Sequence, residues 1–172
     1  SSDQTPAALD AMTGLDIPLR CVRLDPQQGP GAARNAGIDS SSHPYLLFLD
    51  ADVVLPERSL DWIRDSLDLY SHRPEVGGVL GSYAEEVPGA DFWTNFKNLG
   101  TCFLYRTTET LSPFIHTPIF CARRDLVEST GRFDPGLATT EDFHLGLHLG
   151  TMDCRFVIDR RIQGLHLKRY SL

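Results

Sequence analysis

Five consecutive apolar residues, Tyr45-Leu46-Leu47-Phe48-Leu49, stop abruptly at Asp50-Ala51-Asp52. A run this short, with a Ser-rich segment before it and acids after it, suits a strand buried on both faces, as in a parallel sheet. Such strands need helices over them, and the flanking sequence supplies them. Leu60, Ile63 and Leu67 recur at helical spacing after Pro56, which predicts a helix over 58–70 ending near His72-Arg73-Pro74. Upstream, Thr5 as N-cap with Pro6 at the first helical position opens another helix, and the small residues of 32–38 form a third after the Gln28-Gly29-Pro30-Gly31 turn. Helices are also expected over 92–105 and 141–149, the last ended by Gly150, with strands over 19–24, 76–83, 119–122 and 155–158. Strands alternating with helices predict an α/β fold with a mostly parallel sheet.

The length of 172 residues fits one domain over 1–172, long enough to bury a core, and neither repeats nor low-complexity segments interrupt it. Sixteen Lys and Arg against 23 Asp and Glu give a net charge of −7, so no general positive field draws in a nucleic-acid backbone. Nucleic acid is therefore excluded as the expected partner. An acidic chain that handles a diphosphate needs a cation or a local Arg and Lys cluster beside it. Cys21, Cys102, Cys121 and Cys154 form no C-x-x-C pair and are expected as reduced thiols. No apolar run approaches the ~20 residues of a membrane span, and the N-terminus shows no signal peptide, so the expected location is cytoplasmic.

Asp50-Ala51-Asp52 is the sharpest chemical signal. Ligands of open α/β sheets bind at the carboxyl ends of strands, and residues i and i+2 of an extended segment point to one side. Both carboxylates are thus expected to face one Mg²⁺ or Mn²⁺, hard cations that share oxygen ligands with substrate phosphates. The competing reading is an Asx-type turn that caps the following helix. Arg34, in Gly31-Ala32-Ala33-Arg34-Asn35-Ala36-Gly37, is placed to return to the same strand ends and pair with a phosphate, or else is a solvated helix residue. Thr139-Thr140-Glu141-Asp142 reads by itself as a Thr N-cap with acids in the first turn.

Taken in order, Gly-x-x-x-Ala-Arg-Asn, Phe-Leu-Asp-Ala-Asp, Gly131-Arg132-Phe133-Asp134, Thr-Glu-Asp and His166-Leu167-Lys168-Arg169-Tyr170 resemble the inverting family 2 glycosyltransferases of the GT-A fold. The resemblance implies a Rossmann-like three-layer α/β fold with a mostly parallel central sheet. That fold is expected to be N-terminally incomplete here, because the family's first apolar strand and its second, acid-ending strand have no counterpart. It implies that Asp52 binds the metal that bridges the donor diphosphate, with His166 approaching it, and that Asp50 contacts the ribose or the metal's shell. Arg34 and Arg169, with Lys168, would lie near the nucleotide or its phosphates. Asp142 would be the general base, and Glu141 would orient it or touch the acceptor. The implied partners are a nucleotide-diphosphate sugar donor and a sugar or lipid-linked acceptor in polysaccharide or glycolipid synthesis, with membrane attachment of a longer protein left open.

Two rival readings accompany this one. Leu49-Asp50-Ala51-Asp52-Val53 also resembles the nucleophile motif of haloacid-dehalogenase-type phosphatases, which need a downstream Lys, here only Lys97 or Lys168. Alternatively the chain keeps the fold as a non-catalytic binding domain. Phe92, Trp93, Phe96, Phe103 and Tyr105 are expected mostly to pack their helix on the sheet edge, with Trp93 as the acceptor contact. His116, Phe120 and Cys121 lie where the resemblance places an acceptor-facing strand.

Overall fold

The computed structural model describes residues 4–12, 17–137 and 139–170. In chain order the elements are α1 (Thr5–Asp10), α2 (Gly29–Asp39), β1 (Tyr45–Leu49), β2 (Val53–Val54), α3 (Ser59–Leu69), β3 (Val76–Tyr83), α4 (Phe92–Thr107), β4 (Leu111–Ser112), β5 (Ile119–Arg123), α5 (Arg124–Ser129), α6 (Glu141–Thr151) and β6 (Arg155–His166). The sheet has the order β1-β5-β3-β6-β2, with β4 against β6.

The crossovers β1-α3-β3 and from β3 to β6 set these three strands in one direction, as α/β patterning requires. Strand β5 enters between β1 and β3 and runs against both, with Leu46 opposite Ala122 and Val79 opposite Cys121. The sheet is therefore mixed, and among the described residues only the β3/β6 ladder is parallel. Apolar runs record burial but not direction, so the expectation of a mostly parallel sheet missed the inserted strand.

Alternation along the strands divides the core into two layers. Leu46, Phe48, Leu80, Phe120, Phe156 and Ile158 meet Ile38 of α2, Val127 of α5 and Leu145 and Leu149 of α6. On the other face Val79, Ile119, Cys121, Val157 and Ile162 meet Ile63, Trp62 and Leu67 of α3. The result is the expected α/β/α sandwich. Burial pushes the Cys121 thiol up to about 12, so that cysteine is inert packing; all four cysteines are unpaired and Cys21 alone is exposed.

Several local expectations are corrected. Strand β1 is not buried on both faces: Leu46 and Phe48 are covered, whereas Tyr45, Leu47 and Leu49 are exposed. It is the edge strand among the described residues, and α3 packs mainly over β3 and β6. Residues 19–24 form no strand; nearly all of the segment is exposed, and it has no neighbouring strand to pair with. Thr5 lies inside α1, with Gln4 at the N-cap position. Gly150 lies inside α6, and the chain reverses at Asp153 with φ 55°. Strand β6 runs on from the expected 155–158 to His166, which carries that histidine to the carboxyl end of the sheet. Helix α4 turns most of its aromatic residues outward: Phe92, Phe96 and Phe103 are more than half exposed and Trp93 is 40% exposed. Its buried stripe is Thr94, Asn98, Cys102 and Tyr105, at helical spacing.

Candidate functional site

The turn after β1 fixes the acidic pair. Asp50 N–H donates to the Pro118 carbonyl at 3.2 Å, and Val53 N–H closes back on the Asp50 carbonyl at 3.1 Å. Strand β2 then pairs with the end of β6, with Val53 opposite His166, and Leu167 N–H donates to the Asp52 carbonyl at 2.7 Å. Among the described residues neither Asp caps α3, whose N-cap position makes no side-chain bond. The Asx-cap reading therefore does not apply.

The two carboxylates part company at this turn. Asp50 Oδ1 accepts from Arg34 Nη2 at 3.0 Å, whereas Asp52 Oδ2 faces His166 Nε2 at 3.5 Å. Arg34 comes from α2, and its neighbours in the motif explain its placement. Gly31 lets α2 approach the 133–134 backbone so closely that an added Cβ would sit 2.9 Å from the Asp134 carbonyl oxygen. Asn35 grips the Phe133 backbone twice, donating to its carbonyl at 2.7 Å and accepting from its N–H at 3.2 Å. Arg34 then reaches over the Phe133 ring and gives its second arm, Nη1, to Glu141 Oε1. Its fork is divided between two carboxylates.

Glu141 and Asp142 open α6 with different roles. Glu141 is 6% exposed and bound to Arg34. Asp142 is half-buried, accepts from the adjacent Phe143 N–H at 2.8 Å, and among the described residues forms no ion pair. Thr140 stands at the N-cap position with φ 67° and makes no side-chain cap bond, so these acids are not part of a Thr cap.

Burial, and then the charges of Asp50, Asp52 and Asp142 together with Tyr170, hold the Tyr83 phenol well above its ordinary range. Tyr83 stacks flat on His166, with ring centroids 4.2 Å apart and planes within 8°, and meets His116 edge-on at 5.8 Å. Burial lowers the His116 pKa, and Asp142 and Asp50 act against that shift. Behind His166, its Nδ1 lies 3.0 Å from Asn98 Oδ1 of α4. At the carboxyl end of the sheet Tyr83 thus bridges the two histidines by ring contact, Asp52 faces His166, and Asp50 stands at the head of the same turn. Of the remaining expected residues, Arg169 donates to the Gly89 carbonyl at 3.1 Å and Lys168 lies over the Tyr170 ring; both are exposed.

Among the described residues no group of three or more His, Cys, Asp and Glu side chains forms a closed cation cage. Asp52 and His166 nevertheless offer one hard oxygen and one imidazole nitrogen, facing each other beyond hydrogen-bond length. That pair fits a Mg²⁺ or Mn²⁺ ion that takes its other ligands from a phosphate and water. Sequence reasoning missed Tyr83 and Asn98. The only available signal for Asn98 was its place, four residues after Thr94, on the stripe of α4 that faces inward.

The fold, with its acids at the carboxyl end of the sheet, is that of a GT-A-type α/β domain. The family described as "Glycosyl transferase family 2" matches residues 1–130. The chain is 42% identical over 158 residues to the succinoglycan biosynthesis protein ExoO of Rhizobium meliloti (strain 1021), covering 84% of this chain and 43% of that protein. The mannosyltransferase PcManGT from Pyrobaculum calidifontis, solved in complex with GDP-Man and Mn²⁺, superposes with a TM-score of 0.68 at 21% identity, covering 97% of this chain and 45% of that one. S. aureus TarS 1-349 superposes with a TM-score of 0.58 at 18% identity, covering 99% and 47%. The chain belongs to glycosyl transferase family 2, and it spans less than half the length of the proteins it matches. The phosphatase reading is set aside by that membership. No helix among the described residues is long and apolar enough to cross a membrane.

Proposed function

We propose that this chain carries the metal-binding and base-bearing part of an inverting glycosyltransferase, which moves a sugar from a nucleoside-diphosphate sugar to an acceptor hydroxyl in polysaccharide synthesis. The observation that carries the proposal is the division of labour among the acids: Asp52 faces His166, while Asp142, in the first turn of α6 next to the Glu141 that Arg34 ties to Asp50, has no ion-pair partner among the described residues. The solved neighbour holds GDP-Man and Mn²⁺, and the curated relative is named for succinoglycan biosynthesis; both support this choice of donor, ion and product class.

Asp52 and His166 would hold the cation together with the diphosphate. When bound, the cation neutralises charge that develops on the leaving diphosphate. Asp142 accepts the acceptor hydroxyl proton as that oxygen attacks the anomeric carbon from the face opposite the diphosphate. The new C–O bond forms as the bond to the phosphate oxygen breaks, with no covalent intermediate on the protein. Arg34 holds Asp50 and Glu141 as a brace between the strand end and α6, so that Asp142 emerges from a fixed first turn.

Calorimetric titration of nucleoside diphosphates into the intact protein, with and without Mn²⁺, tests the proposal. Wild type should bind in a Mn²⁺-dependent manner, and Asp52→Ala should lose that dependence while keeping its melting temperature, because the carboxylate is 43% exposed. Affinity that ignores both Mn²⁺ and the substitution would leave a non-catalytic binding domain as the better reading.

A further inference from the structure

We propose that Asn98 is a positioning residue that fixes the tautomer of His166, keeping the proton on Nδ1 so that Nε2 presents a lone pair toward Asp52. This rests on the reading above that Asp52 and His166 are the cation ligands.

Asn98 is 1% exposed, in the middle of the inward stripe of α4. Its Oδ1 lies 3.0 Å from His166 Nδ1, an ordinary hydrogen-bond length, and a carboxamide oxygen can only accept. The imidazole must then carry its proton on Nδ1, which leaves Nε2 unprotonated in the neutral ring. Nε2 and Asp52 Oδ2 are 3.5 Å apart, longer than an N–H···O bond and reasonable for two lone-pair donors that face one another. A proton on Nε2 would instead draw that carboxylate into a direct bond.

The ring has little freedom to choose otherwise. His166 is 4% exposed, Tyr83 lies flat against one face, and Tyr170 meets it edge-on at 6.0 Å. Helix α4 also holds the segment just beyond His166, where Tyr170 N–H donates to Thr94 Oγ1 at 3.0 Å. The same stripe therefore fixes the backbone through Thr94 and the imidazole through Asn98.

Packing alone does not account for an asparagine here. Among the described residues Asn98 Nδ2 is buried without a hydrogen-bond partner, a standing cost that an apolar side chain of similar size would avoid. The acceptor oxygen is what such a replacement would lose. Partners behind metal-ligating histidines commonly set both tautomer and ring orientation.

The test uses the intact protein without nucleotide, with Mn²⁺ and inorganic pyrophosphate as probes. Long-range ¹⁵N–¹H spectra of His166 should show the Nδ1–H tautomer in wild type. Asn98→Leu should lose that tautomer and weaken Mn²⁺ binding about 10–100-fold, read by water-proton relaxation, with an unchanged or higher melting temperature. Asn98→Asp, which keeps an acceptor oxygen, should preserve the Nδ1–H tautomer. A wild-type His166 protonated on Nε2, or an Asn98→Leu protein that binds Mn²⁺ as wild type does, overturns the proposal. If Asn98→Leu fails to fold, the wild-type tautomer and Asn98→Asp decide. His166→Ala separates the two readings: unchanged Mn²⁺ affinity there removes His166 as a ligand, whereas weakened affinity there with none lost in Asn98→Leu removes only the role of Asn98.

Discussion

Arg34 and Glu141, 107 positions apart in the chain, form one ion pair at the carboxyl end of the sheet, and Arg34 gives its other arm to Asp50. Glu141 is buried, and its charge is tolerable because the guanidinium beside it is also largely buried, with 16% of its side chain exposed. Removing one partner of such a pair is much worse than removing both.

Arg34→Ala should therefore destabilise the protein by about 3–5 kcal/mol in urea unfolding. The Arg34→Ala/Glu141→Gln double variant should recover a substantial part of that loss, since the only charge it leaves unpaired is that of Asp50, whose side chain is 33% exposed. Additive losses in this double-mutant cycle would mean that the two side chains are not energetically coupled.

Asp159 provides a second buried carboxylate, this time against α3. It accepts from Ser66 Oγ of α3 at 2.8 Å and from Arg161 Nη2 at 2.6 Å. Burial is the largest single influence and works upward, but the bonds from Arg161 and Ser66 together outweigh it and hold the carboxyl below its ordinary value. A folded pKa below the unfolded one gives stability that is present above the unfolded value and lost as pH falls through the folded one. Asp159→Asn should cost about 1–3 kcal/mol between pH 5 and 8, with the difference shrinking below about pH 4. A difference that stays constant down to pH 2, measured by urea unfolding, would contradict this.

Gly78 on β3 is needed for a different reason. A Cβ there would overlap the Cys121 carbonyl oxygen and crowd the Ala122 backbone, so β5 could not keep its place beside β3. These neighbours are main-chain atoms that cannot swing aside as a flexible side chain would. Gly78→Ala should cost at least the ~1–3 kcal/mol typical of overpacking, whereas Gly100→Ala, on α4 with open space around it, should not destabilise. Equal thermal unfolding of the two variants would refute the close approach.

What the sequence revealed and what it concealed follow from the range of each interaction. Asp50, Asp52, Glu141 and Asp142 were legible because each sits at the end of a periodic segment, where local pattern marks a strand end or a helix start. Val76–Tyr83 was legible as a continuous small and apolar run. The split of Asp50 from Asp52 was not, because it depends on which partner lies across the turn, Arg34 on one side and His166 on the other. The outward aromatic face of α4 was hidden for the opposite reason. Hydrophobicity names Phe92, Phe96 and Phe103 as core, yet the helix docks through Thr94 and Asn98, whose partners Tyr170 and His166 lie on a segment distant in the chain. Strand β5 shows the same limit, since its reversed direction is fixed by its pairing with β1 and β3 and by nothing within its own five residues.

Asp142 supplies the last test, because its surroundings distinguish a reacting carboxylate from a structural one. Its neighbour Glu141 is buried and paired, whereas Asp142 is partly open to solvent and among the described residues accepts a side-chain hydrogen bond only from Phe143 N–H. Asn keeps the size and an acceptor oxygen, so Asp142→Asn should leave the melting temperature within a few degrees of wild type. It removes the basicity that proton acceptance needs. General-base assistance is typically worth ~10²–10⁴ in rate, so turnover by the intact protein should fall by about that factor. Affinity for a nucleoside diphosphate with Mn²⁺ should hardly change, because Asp52 and His166, not Asp142, face each other across the proposed cation site. Turnover near wild type, or a loss of nucleotide affinity with turnover intact, would show that Asp142 is only a first-turn acid whose charge suits the helix N-terminus.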